Sequence, residues 1–226
     1  MISKVKKAQK GPSWVEVGLG AALSVVLGVV LGAAYLVTKP VQTVKDIPKD
    51  APSGAVYYIE GVRDFNKSSA IEEKRKSLTD GESISVQEGE LNAYIGNVTK
   101  PAATGKPGDK NPPPADQKMV TPGTLNVRIR GGAIQFANPI VYNIYGFTGT
   151  IIVQATGTFS RHGKGFEFDP ESIFVGGCPT QHFLFVRGFF LKKLLFTQPV
   201  PDDIAAALAK ASDVAVVGNT LQVKMP

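Results

Sequence analysis

The chain has 226 residues, of which 43% are hydrophobic and 19% charged, with a formal net charge of +6 and a single cysteine. One cysteine excludes an intrachain disulfide. The modest positive balance, with no basic stripe interleaved with aromatics, argues against nucleic acid as a partner.

Val17 to Val37 is a run of 21 residues without a charge. A helix of that length reaches roughly 30 Å, the thickness of a bilayer's hydrocarbon core. Ser13-Trp14-Val15-Glu16 has capping-box spacing, Trp14 and Tyr35 stand where membrane interfaces would fall, and Pro40 discourages continuation. The pattern predicts one transmembrane helix over 14–38. Residues 1–13 hold Lys4, Lys6, Lys7 and Lys10 without an acid, so the positive-inside rule puts the N-terminus in the cytoplasm and exports the rest. Gly32-Ala33-Ala34 leaves a cleaved signal peptide as the alternative, although the run exceeds the usual h-region of about 7–15 residues. Gly20, Ser24, Gly28 and Gly32 recur every four residues, a spacing that lets two helix backbones approach closely. That face reads either as a homo- or hetero-oligomer contact or as ordinary membrane-helix composition.

Beyond the span, 21 basic side chains stand against 18 acidic ones, and the length suits one domain with its own core. Residues 39–55, with Pro40, Pro48 and Pro52, read as an extended stalk, and the exported domain as 56–226. A light helix is expected from Ser68 or Ser69 to Leu78. Ser85-Val86-Gln87-Glu88 reads as a second capping box, opening a helix with Leu91, Tyr94 and Ile95 on its buried face. Glu88, Glu90 and Asn92 on it are expected to be a cap and solvated polar faces, since no nucleophile or metal cluster accompanies them. Residues 100–118 are dominated by Pro, Gly, Lys and Asp and read as a flexible insert.

The second half is β-rich. Leu125–Arg130 alternates at period two. Ala133–Phe136 and Ile140–Tyr145 read as separate strands with Pro139 at a bend or edge. A long strand follows over Gly146–Ser160, then Phe166–Phe168 and Ser172–Val175, which implies an antiparallel meander. Phe183 to Phe196 is strongly apolar, with Arg187, Lys192 and Lys193 scattered through it. It reads as a core helix with snorkelling basic chains, or as a segment facing lipid or an apolar ligand through Phe183, Phe185, Phe189, Phe190, Leu194 and Phe196. Asp202 to Ala211 predicts a helix, and Val214–Val217 with Leu221–Val223 a closing hairpin. The fold class is therefore α+β: a transmembrane helix, then one domain with a curved antiparallel sheet and several packed helices.

Ser85 to Ala93 (SVQEGELNA), with its Glu90-Leu91-Asn92-Ala93 core, and the element order over 60–225 resemble a loose group of single-pass bacterial envelope proteins. Many of these carry an S/T-x-x-E-L-N-A helix before a curved sheet. More remotely the order is similar to membrane-anchored tubular lipid-binding domains. The resemblance implies an inner-membrane protein with a non-enzymatic envelope role, holding lipid between a curved sheet and a helix. The alternative is a structural or adaptor subunit associating through the small-residue face of the span. An enzyme is disfavoured, because a GxSxG, a phosphate loop, a metal cluster and a paired Cys/His are missing from the sequence. No cofactor or metal is expected; His162 and His182 stand 20 apart without companion ligands. Cys178 is expected to be a small buried apolar residue.

Overall fold

The structure is a computed structural model. It describes residues 12–46, 48–50, 52, 54–64, 66, 68–98, 119–163, 165–180, 188, 190–197 and 200–226. The basic N-terminal tail, the insert at 100–118, and Phe183, Phe185 and Phe189 lie outside these residues.

Helix α1 (Trp14–Thr38) begins with the expected capping box. The Ser13 N–H donates to Glu16 Oε2 at 2.8 Å, and the Glu16 N–H donates to Ser13 Oγ at 3.3 Å. Lys39, before Pro40, turns extended and ends it. By length and composition α1 is long and apolar enough to cross a membrane, and its apolar window stands clear of the rest of the chain.

The described part of 39–55 is not a free stalk. It folds back so that β1 (Gln42–Thr43) pairs in parallel with β2 (Tyr57–Tyr58), and the Val44 N–H donates to the Tyr58 carbonyl. Tyr58 and Val41 then pack on Ala137 and Ile152. Prolines set the local extension, but burying Tyr58 sets the path. Burial, followed by the nearby Glu60, pushes its hydroxyl up to about 12, so the ring is a neutral core group at physiological pH.

The main sheet has six strands: β4 (Val120–Pro122), β5 (Asn126–Arg130), β6 (Ala133–Ile144), β7 (Phe147–His162), β8 (Gly165–Val175) and β9 (Cys178–Pro179). Its order is β4-β6-β7-β8-β9, with β5 also on β6, and every pairing in it is antiparallel. Strand β6 runs straight through Pro139 where two strands were expected. The Pro139 carbonyl accepts from Gly123 in the link between β4 and β5. In an antiparallel strand a residue's N–H and C=O share one side, so the absent Pro139 N–H faces that link and β7 loses no ladder bond. A register shift at Thr156/Gly157 admits Pro170 in β8, as a bulge can.

One face of the sheet carries the main core. Ile140, Val153, Ala155, Ile173 and Val175 pack with Leu195 from a π-helical turn, Phe190–Leu195. Phe136 lies edge-on to Phe168 at 4.9 Å and to Phe196 at 5.1 Å. Asn138, fully buried, holds the turn by donating to the Leu194 carbonyl at 3.0 Å. The described part of the Phe-rich stretch is therefore packed on the core, with Lys193 exposed.

Helices α2 (Ser68–Thr79) and α3 (Glu88–Val98) come before the sheet, and α4 (Asp202–Lys210) after the turn. A smaller antiparallel sheet has the order β10 (Asp213–Val217), β11 (Thr220–Lys224), β3 (Ile84–Gln87). The closing hairpin is thus as expected, but its partner is the segment read as a capping box. Leu78, Ala207, Ala211, Val214 and Val223 form the core under these elements. Arg75 joins α2 to α4, with Nη2 at 2.7 Å from Asp203 Oδ2. That hydrogen bond holds the Asp203 carboxyl below its ordinary range.

Because the folded-state value is depressed, the pair's contribution is full above pH about 4 and is lost as pH falls through the lowered value. The stability advantage of the wild type over Asp203→Asn should shrink below pH about 4, as read by urea unfolding of the detergent-solubilised chain at a series of pH values.

Candidate functional site

Three polar residues of α3 do more than cap it. Strand β5 is paired to β6 along one edge, and α3 seals the other. Asn92 Nδ2 donates to the carbonyls of Val62 (2.9 Å) and Val127 (2.7 Å), while its Oδ1 accepts from the Val127 N–H at 2.7 Å. Glu88 accepts from the N–H groups of Val62 and Ile129, one on each oxygen. Asn126 Oδ1 accepts from the Gly61 N–H at 2.7 Å. Gly61 must be glycine for this approach, since a Cβ there would fall on the Val127 carbonyl.

Glu90 acts on the other side of the helix. It pairs with Lys74 Nζ at 2.7 Å and accepts from the Gln87 N–H at 2.8 Å. The capping contact thus sits at Gln87/Glu90 and not at Ser85/Glu88, because Ser85 and Gln87 are drawn into the ladder with Gln222 and Thr220. Glu90 and Asn92 are buried, 5% and 0% exposed, where solvated faces were expected. Their positions are fixed by non-local partners that no local spacing reveals. Replacing Asn92 with Ala strands the backbone groups of Val127 and Val62. It should cost about 3 kcal/mol, seen as a lower urea midpoint with an unchanged slope.

The opposite face of the sheet is polar at the β5 end. Arg128, Arg130, Ala133, Gln135 and Thr156 line a pocket of about 170 Å³. Burial, then the neighbouring Arg130, lowers the Arg128 guanidinium from its ordinary range. Gln135 donates to Gln154 at 2.8 Å, and Gln154 to the Tyr57 carbonyl at 3.3 Å, so β2 rests beside this pocket. Arg128 and Arg130 share this strand face, and Arg130 is paired with Asp46 at 3.4 Å. No group of three or more His, Cys, Asp or Glu suited to a metal occurs among the described residues. Cys178 is buried and burial pushes its thiol up, which suppresses the reactive thiolate.

At the other end, the last turn of α1 is seated on the sheet. The Gly177 N–H donates to the Leu36 carbonyl at 2.9 Å, and Val37 packs against the main core. Ala33 and Val37, one turn apart, are the half-buried residues of the span. Gly176 has φ +58, and a Cβ on it would meet the Val37 carbonyl. The expected small-residue face is elsewhere on the helix. Cβ atoms built on Gly20, Gly28 and Gly32 meet nothing within 4 Å, and Ser24 Oγ returns to the Gly20 carbonyl.

Of the candidate apolar contacts, Leu194 and Phe196 are half-buried against the core, and Phe190 contributes backbone to the π-helical turn. Beyond α1, exposed large apolar side chains include Val62, Val98, Val200 and Val217, and a group at the β6–β7 hairpin tip. Tyr145 is 96% exposed, Phe147 79% and Met119 64%. The sequence carries a signal for it that the strand reading passed over: between Arg130 and Arg161 there are 30 residues without a charge. Comparison of the chain with protein-family models, with curated proteins and with solved structures finds no match.

Any side chain at Gly176 meets both a left-handed backbone, worth roughly 1–2 kcal/mol, and the α1 carbonyl. Gly176→Val should therefore unseat α1. Trypsin cleavage after Lys45 or Lys49 in the solubilised chain should accelerate several-fold, with the core's unfolding midpoint only slightly lowered.

Proposed function

We propose that this chain is a single-pass, non-enzymatic protein of the bacterial inner membrane. Its N-terminus is cytoplasmic, and its exported α+β domain is held against the bilayer surface, where it binds lipid. The observation that carries this reading is the seat of α1. A helix able to cross a membrane ends directly on the sheet, through Gly177 N–H to Leu36 and through Val37 packed against the core, with no free tether between. A domain fixed that way stays within reach of lipid headgroups and presents one chosen end to them.

Two further features support it. The carboxylates with the best claim to acid–base chemistry, Glu88 and Glu90, are occupied with backbone N–H groups and Lys74. Leu191, Leu194, Leu195 and Phe196 fill the space against the sheet, so lipid is met at the bilayer surface and not under that turn.

The test is fractionation of cells expressing the full chain. Carbonate-washed membranes should retain it, protease added to spheroplasts should digest the domain, and lipids should co-purify and be identifiable by mass spectrometry. Release by carbonate, or a soluble product beginning near Tyr35, overturns the reading.

A further inference from the structure

The β6–β7 hairpin stands at the end of the sheet where α1 is seated. Register fixes this. Val153 of β7 lies opposite Val175, the last residue of β8, just before the Gly176-Gly177 turn that receives α1. Phe147 is six residues further along β7 in the outward direction. At about 3.3 Å per residue Phe147 lies roughly 20 Å from Val153 along the strand. The helices and the small sheet pack toward the opposite half, where Phe159 and Phe166 join their core. Among the described residues these elements leave the tip uncovered.

Its described surface carries no charge. Val120, Ile144 and Phe147 are exposed on one face of the strands and Val141 and Met119 on the other, with Tyr145 at the turn and the exposed Asn143, Thr148 and Thr150 among them. Exposed apolar side chains gathered at a hairpin tip mark an interaction site. The turn is also chosen against local preference. Tyr145 (φ 49) and Gly146 (φ 86) are the two central residues of a two-residue hairpin, both left-handed. Asn, Asp or Gly normally occupies the first of these positions. A bulky ring there is a genuine outlier. At 96% exposure, Tyr145 gains almost nothing from its own chain in return. Aromatic rings with one polar end favour the membrane–water interface. Tyr35, 68% exposed in the last turn of α1, directly precedes Leu36 of the seat, at the same end of the molecule.

We propose that the β6–β7 tip, led by Tyr145 and Phe147, dips into the interface of the phospholipid bilayer beside α1 as a second membrane contact. The domain is then held at two points, one spanning and one interfacial, which fixes its tilt as well as its distance. This inference rests on α1 being embedded in the bilayer.

Full-length chain in vesicles of phosphatidylcholine and phosphatidylglycerol, with and without brominated acyl chains, tests it. Trp14 is the sole native tryptophan, so Tyr145→Trp and Phe147→Trp, each in a Trp14→Phe background, give single reporters. Both tip reporters should emit to the blue of the denatured chain and lose intensity in brominated bilayers. His162→Trp, at the far turn, should do neither. Leu27→Trp in the span checks the anchor independently. If Leu27→Trp is quenched and both tip reporters are not, the tip contact is overturned and the anchor stands. If Leu27→Trp is not quenched, both fall. Blue-shifted tip emission without bromolipid quenching puts the tip against protein and overturns the lipid assignment, as does equal quenching at the far turn.

Discussion

The folded domain depends on how the outer edge of β5 is closed. A five-residue strand paired on one side leaves backbone N–H and C=O groups that must find partners once they are buried. Asn92 supplies both kinds at once, two donors and an acceptor, and so stands in for a neighbouring strand at Val127. Glu88 does the same at Ile129 with acceptors alone. These bonds are directional, and those of Asn92 to Val127 are buried, so they set where α3 lies, where 61–62 passes and which side chains of β5 face inward. Val127, Ile129 and Ile134 then meet Leu91 and Ile95 as the apolar layer beneath. Hydrophobic burial supplies most of the driving force there, but it would tolerate other arrangements; the amide of Asn92 would not.

From that closure follows a molecule with two unlike ends. Helices α2, α3 and α4, the small sheet and the paired charges Lys74–Glu90 and Arg75–Asp203 gather at one end, with Arg128 and Arg130 beside them on the other sheet face. The long β6–β7 ladder runs out of this cluster toward α1 and carries no charge on the way. A seated helix makes this polarity usable. Were residues 39–55 a loose tether, the domain could turn any face to a membrane; with Val37 packed against the core, one end is always nearest.

Much of the architecture was legible because it is local. The capping box at Ser13/Glu16 and the uncharged run specify α1 without help from the rest of the chain, alternation specifies β5, and two short apolar runs around Gly218-Asn219 specify the terminal hairpin. Elements that depend on distant partners were read less well. Ser85 to Glu88 has the right spacing for a cap, yet pairing with β11, more than 130 residues later, makes Ile84–Gln87 a strand. Pro139 signals a break when taken alone and is harmless beside the Gly123 link. The prolines of 39–55 predict extension but cannot report that Tyr58 will anchor the segment to Ala137 and Ile152. Tyr145 gives no local signal, because an aromatic in a strand is ordinary; its left-handed backbone and its exposure exist only in three dimensions.

Sequence by itself determined that this chain holds one helix long and apolar enough to span a bilayer, and that an α+β domain with a largely antiparallel sheet follows it. Composition and short-range periodicity suffice for both. Tertiary structure alone decided that Asn92 and Glu90 are buried, that α1 ends on the Gly176-Gly177 turn, and that an uncharged hairpin shares that end. Each of these is a meeting of residues far apart in the chain. Such meetings are selected by backbone groups that must be paired and apolar faces that must be covered, and neither requirement leaves a mark in any single window of sequence.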